Sequence, residues 1–234
     1  MADQSINKTT LWFIIGFIVV VVVGLIILGV VSGGPGSSTS TSTTPPFVAT
    51  TVPPISATDW AEGNPNAKVT LIEYGDFECP ACGAYFPLIQ QILTDDSSTI
   101  YFAFRNFPLY TIHPDAGIAA QAAEAAGLQG KYWPMHDLLY TDQATWVDAT
   151  PSSVVSEFFN GYASSLGLNV TKFDSDINSA QVLNKIQSDV TTANNAQVDH
   201  TPTFFVNDVQ IPNPTSLADF ETTLNAAIAS SSSE

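Results

Sequence analysis

Hydrophobic and polar positions divide the chain into regions of different period. Residues 11–31, LWFIIGFIVVVVVGLIILGVV, are apolar without interruption. As a helix that run reaches roughly 31 Å, about one bilayer hydrocarbon core. It exceeds the apolar stretch of a cleavable signal and has only a weakly positive flank, so it reads as one uncleaved membrane anchor. Lys8 is the only basic residue near either end, which favours a cytoplasmic tail at 1–10 and places everything after about residue 32 outside the cytoplasm. Residues 32–58 hold mostly Ser, Thr, Pro and Gly and no charge, the composition of a disordered tether.

From 59 to 230 the periods are those of a folded domain, and 231–234 is a polar tail. KVTLIEYGDF (68–77) is a β-rich run that ends in a turn, and PACGAYFPLIQQIL (80–93) has helical spacing. TIYFAFRNFPL (99–109) alternates aromatic and β-branched residues as a strand does. Residues 113 to about 197 read as a series of helices, the first of them alanine-rich and ending at Gly127. Strand character returns at TPTFFVN (201–207) and VQIP (209–212), followed by an amphipathic helix at 216–229. The order β-α-β, helices, β-β-α predicts one α/β domain with an inserted α-helical subdomain, its first crossover joining parallel strands.

Charge changes the picture in one respect. The formal net charge is -16, and Lys68, Arg105, Lys131, Lys172 and Lys185 are the only basic residues after the anchor. Such a surface repels phosphate backbones and anionic lipid, which excludes nucleic acid as a partner. Asn169-Val170-Thr171 is a glycosylation sequon, informative only in a host that uses it.

The candidate chemistry is concentrated in YGDFECPACGAYFP (74–87), which holds the only two cysteines, Cys79 and Cys82. A structural zinc site needs four ligands, and His113, His136 and His200 are scattered with no second cysteine pair. Haem attachment needs a histidine where Gly83 stands, and a staple closing so short a loop would constrain little of the unfolded chain. A redox dithiol remains, with no metal or cofactor required. Cys79 falls at the start of the predicted helix, where free N–H groups and the macrodipole favour a thiolate. Pro80 suits the first helical position. The assignment is Cys79 as nucleophile and Cys82 as the more enclosed resolving thiol.

EYGDFECPAC, FRNFPL, HPDAGIAAQAAEAAGLQGKYWPMHDLLY and HTPTFFVN occur in an order that resembles membrane-anchored DsbA-like thiol:disulfide oxidoreductases. The resemblance covers about residues 59–230 and implies a thioredoxin fold with an inserted helical subdomain at about 113–197. It also implies that Pro202 is a cis-proline beside the redox pair, with Thr201 before it, and that Glu73 is a buried acid relaying protons to the enclosed cysteine. Burial at the end of a core strand would raise the Glu73 pKa; the alternative is a plain edge-strand glutamate. Phe77, Pro80, Ala81 and His200 are weaker candidates for a substrate groove, as are Tyr85 and Phe86, which at helical spacing equally suit a core. Tyr132, Trp133, His136 and Arg105 read as structural.

With Thr201 rather than a β-branched aliphatic residue before Pro202, a choice also seen in isomerase-type relatives, the chain departs at three positions from the strongly oxidising members of that family. Ala81 stands where they carry histidine and offers the thiolate no donor, which predicts a less oxidising disulfide. His200 would sit close enough to Cys79 to restore some positive charge, or be an exposed loop histidine. The expected activity is disulfide donation to reduced or unfolded secreted proteins by a monomer. A membrane quinone-coupled partner re-oxidises it, as the resemblance implies. A reductase or isomerase of the same fold, or a non-catalytic chaperone, are the alternatives.

Overall fold

The computed structural model describes residues 50–96, 98–147, 149 and 152–231. The expected tail 1–10, the anchor 11–31, the tether as far as residue 49 and the end 232–234 lie outside the described residues. Among those described, no helix is long and apolar enough to cross a membrane.

Strand β1 (Trp60–Gly63) is followed by β2 (Val69–Gly75), helix α1 (Pro80–Asp96) and β3 (Ile100–Asn106). Six helices come next: α2 (Ala116–Gly127), α3 (Tyr132–Thr141), α4 (Gln143–Trp146), α5 (Ser152–Ser165), α6 (Val170–Asp176) and α7 (Ala180–Asn195). The chain ends in β4 (Thr203–Val206), β5 (Val209–Gln210) and α8 (Leu217–Ser231). The sheet order is β1-β3-β2-β4-β5. β2 and β3 run parallel, with Glu73 opposite Phe104, and β1, β4 and β5 pair antiparallel with their neighbours. The expected β-α-β unit, the helical insertion and the β-β-α close are all present. Strand β1 is an addition that a four-residue WAEG segment does not announce.

Alternation along the strands sorts the core into two faces. Val69 and Leu71 of β2, Phe102 and Phe104 of β3, and Phe204 of β4 enter the larger core with α1, α8 and the insertion. Ile72, Tyr74, Ala103 and Phe205 face the other way, against the C-terminal end of α7. By the same period Glu73 points into the larger core, on a strand flanked by β3 and β4 and so not an edge.

The tether ends earlier than composition suggests. Thr51 bridges to Val209, and the Val52 N–H donates to the Asp208 carbonyl at 3.0 Å. The buried Val52 side chain packs with Ile55 onto Ile72, Tyr74 and Phe205. Residues 50–59 thus form a strap from β5, at one edge of the sheet, to β1 at the other. Two apolar side chains suffice because Arg105 pins the far end, donating to Asp59 at 2.9 and 3.0 Å and to the Pro54 carbonyl at 3.2 Å. The boundary expected at 58/59 is therefore corrected to no later than Thr50. Arg105 is structural, as expected.

Candidate active site

The loop between β2 and α1 is held by carboxylates turned inward. Asp76 accepts from the Glu78 N–H at 2.8 Å, from the Leu109 N–H at 2.9 Å and pairs with His113 Nδ1 at 2.7 Å. Glu78 reaches the other way and accepts from the Asp115 N–H at 2.7 Å. Neither acid, nor His113, was singled out for such a role from sequence; their signal is only that charged residues flank a cysteine in an otherwise apolar run. Cys79 caps α1: its N–H donates to the Asp76 carbonyl and its own carbonyl accepts the Gly83 N–H, both at 3.1 Å. From the insertion, Gln143 Nε2 donates to the carbonyls of Phe77 at 2.7 Å and Cys79 at 2.9 Å.

Both cysteines are free thiols. Cys82 is fully buried, while Cys79 keeps 6% of its surface exposed, enough to make it the accessible sulfur. Its thiol is lowered from 9.0 to about 5, chiefly because the Cys82 thiol donates to it, against the opposing effect of burial. The Cys82 and Ala81 N–H groups at the start of α1 add to that lowering. Burial drives the Cys82 thiol well above 9.0, with Cys79 and the Glu73 charge acting the same way. Glu73, 3% exposed, is raised from 4.5 to about 8, first by burial and then by the Cys79 charge.

Facing this pair is the turn before β4. The Thr201–Pro202 peptide bond is cis, and Cys79 Sγ donates to the Thr201 carbonyl at 3.4 Å. Asn213 Nδ2 donates to the Pro202 carbonyl at 2.7 Å, and Thr203 Oγ1 to the His200 carbonyl at 2.7 Å. The Thr201 hydroxyl is buried and has no hydrogen-bond partner among the described residues. No group of three or more His, Cys, Asp or Glu side chains that could hold a metal ion occurs among the described residues.

A family model described as thioredoxin matches residues 56–226. The chain belongs to the thioredoxin family. Its fold is also that of oxidised BdbD from Bacillus subtilis, with a TM-score of 0.68 at 21% identity, covering 78% of this chain and 100% of that one. Wolbachia pipientis alpha-DsbA1 gives 0.62 at 21% identity, covering 76% and 94%. A thioredoxin-like oxidoreductase from Silicibacter pomeroyi DSS-3 gives 0.60 at 23% identity, covering 74% and 93%. Among curated proteins, the Na(+)/H(+) antiporter NhaA 1 of Salinispora arenicola is 42% identical over 149 residues, 64% of this chain and 22% of that protein. The corresponding Mycolicibacterium gilvum protein is 37% identical over 153 residues, 23% of its length. The chain thus spans less than a quarter of these curated relatives, whose names describe the whole antiporter chains.

Within this thioredoxin domain, Cys79, Cys82, Glu73, Thr201 and Pro202, the last three named only through the resemblance, lie at one end of the sheet. Pro80 and Ala81 lie exposed beside the nucleophile. One of the weaker groove candidates is corrected. Phe77 is 1% exposed, its ring 5.0 Å from both Phe104 and Tyr140, so it packs beneath the loop and cannot line a surface groove. His200 is the exposed loop histidine of the second reading, its ring 2.7 Å from Asp199. Tyr85 packs on Phe204 and donates to the Pro214 carbonyl at 2.6 Å, while Phe86 stacks on Tyr140. Tyr132, Trp133 and His136 are packed among aromatic rings in the core, consistent with a structural role.

Proposed function

We propose that this chain is a DsbA-like thiol:disulfide oxidoreductase that donates a Cys79–Cys82 disulfide to reduced polypeptides outside the cytoplasm, anchored there by residues 11–31. The observation that carries the reading is the asymmetry of the pair: an accessible thiol ionised from about pH 5 beside an enclosed one held protonated. A substrate thiolate attacks Cys79 Sγ, the Cys79–Cys82 bond breaks, and its electron pair leaves on Cys82, which takes a proton from Glu73. Glu73 still carries that proton up to about pH 8. A second substrate thiolate then attacks the substrate sulfur of the mixed disulfide, and Cys79 departs as the stabilised thiolate. The substrate loses two electrons and two protons, and a membrane quinone-coupled partner takes the two electrons from the dithiol to restore the disulfide.

Magnitudes favour donation over reduction. At pH 7 a thiol lowered from 9.0 to about 5 stabilises the reduced protein by about 3 kcal/mol. That raises the potential of the disulfide by about 60 mV, outweighing the missing donor at Ala81. The reductase or isomerase reading rests on Ala81, on the acidic surface and on Thr201 before Pro202, and a non-catalytic chaperone would need none of this asymmetry.

Expression of Cys82→Ala tests the proposal. Mixed disulfides joined through Cys79 to envelope proteins are expected, and their absence would sink it. A potential near about -270 mV, as in reducing thioredoxins, would favour the reductase reading; one above about -200 mV supports donation.

A further inference from the structure

Gln143 of the insertion donates two hydrogen bonds to the main chain of the redox loop, one at Phe77 and one at Cys79 itself. The amide has two N–H donors, and both are used, on the Phe77 carbonyl at 2.7 Å and the Cys79 carbonyl at 2.9 Å. A flipped amide would set its oxygen against two carbonyl oxygens, so the orientation is determined. Gln143 opens the four-residue helix α4, and Trp146 at its other end is fully buried, donating Nε1 to the Leu139 carbonyl at 2.8 Å. Helix α4 is thus a short strut between the insertion and the redox loop.

Gly83 makes room for it. A Cβ built at Gly83 would lie 2.3 Å from Gln143 Oε1 and 3.0 Å from its Cδ, closer than any real Cβ contact. The φ of Gly83 is not one that requires glycine, so the absent side chain serves the close approach of the amide.

We propose that Gln143 is a positioning residue for Cys79, holding the nucleophile's main chain so that the first N–H groups of α1 meet its sulfur, and that Gly83 is glycine to admit it. The proposal concerns the dithiol site on which the oxidoreductase reading rests. The Phe77 and Cys79 carbonyl dipoles belong to the loop that carries the sulfur, and the amide N–H groups offset them. Without the amide those dipoles disfavour the thiolate. The loop is also freed to turn the Ala81 and Cys82 N–H groups away from the sulfur.

The test is the pH dependence of Cys79 alkylation by iodoacetamide, with thiolate absorbance at 240 nm, in the reduced protein. Gln143→Ala is expected to move the midpoint upward by about one pH unit, a tenfold loss of thiolate at pH below the midpoint. Gln143→Glu, which has no donors and adds a negative charge, moves it further. Gly83→Ala, leaving the amide in the chain but displacing it, moves it in the same direction. In the double variant Gln143→Ala/Gly83→Ala the two shifts do not add, because both remove one contact. An unchanged midpoint in Gln143→Ala with a lowered Tm would overturn the proposal by showing a merely structural role. Fully additive shifts would overturn the part assigned to Gly83. Should Gln143→Ala fail to fold, Gly83→Ala alone decides, an unchanged midpoint there refuting the proposal. These readouts need no substrate or re-oxidant, so failure of the oxidase reading in cells leaves them unaffected.

Discussion

Replacing Glu73 by glutamine removes a buried proton site while keeping its shape. The carboxyl is raised to about 8 in the folded protein, against 4.5 for an exposed one. A group raised on folding contributes stability that is complete below the unfolded value and is lost as pH rises through the folded one. Between 4.5 and about 8 the unfolded chain has released this proton while the folded one holds it, so stability falls with rising pH. The whole gap corresponds to about 5 kcal/mol, and the part between pH 5 and pH 8 to about 3–4 kcal/mol. Glu62 and Glu124, both raised to about 7 mainly by burial, slope the same way, so the comparison must be a difference between proteins. Urea unfolding of reduced wild-type and Glu73→Gln protein at both pH values provides it. The variant should gain about 3–4 kcal/mol over wild type on going from pH 5 to pH 8. In the disulfide form the Cys79 charge is gone, so the gain should shrink but keep its sign. A gain under about 1 kcal/mol, or one of opposite sign, would refute a Glu73 that stays protonated at neutral pH and would remove it as proton donor to Cys82.

Further outcomes can be checked on the same protein. Alkylation of reduced Cys79 should rise tenfold per pH unit and level off above a midpoint of about 5; a midpoint near 8 would mean that the Cys82 thiol and the α1 N–H groups do not reach the sulfur. Arg105→Met leaves the buried Asp59 with Lys185, at 3.9 Å, as its remaining cation and should cost about 3 kcal/mol, the low end for a broken buried pair, largely recovered in Arg105→Met/Asp59→Leu; a neutral single variant would mean the strap is not pinned there. Gly75→Ala places a Cβ 2.3 Å from Phe104 Cε2 and should destabilise by about 1–3 kcal/mol, whereas a strand glycine without such a neighbour would gain from the change. Trp60→Phe deletes the donor at 2.7 Å from Glu124 and should cost about 1–3 kcal/mol in denaturant midpoints, more at pH 8 than at pH 5 because Glu124 is charged only above about 7.

What could be read from the sequence divides by range along the chain. Glu73, Thr201 and Pro202 are reached only through the family resemblance. Cys79, its place at a helix start and Cys82 lie within four residues, and these depend on local geometry, which residue type and spacing report directly. Gln143 could not be found that way, because its bond spans 64 residues and glutamine has no intrinsic signature. Phe77 misled for a related reason: a large aromatic at a turn suggests a surface, but the insertion brings Tyr140 and His136 down over it. The strap was hidden by composition. Thr, Pro and Val read as tether, and only the tertiary partners Asp208, Val209 and Arg105 give them an ordered place.

That strap carries a consequence for how the domain comes into being. Thr50 and its partner Gln210 are 160 residues apart, so the leading segment of this domain is among the last to find its place. During synthesis Cys79 and Cys82 emerge long before β4 and β5 exist to complete the sheet or to set Thr201 beside the sulfur. A nascent chain therefore displays the two thiols without the Thr201 turn beside them, and the site is complete only when the far end of the domain arrives to close it.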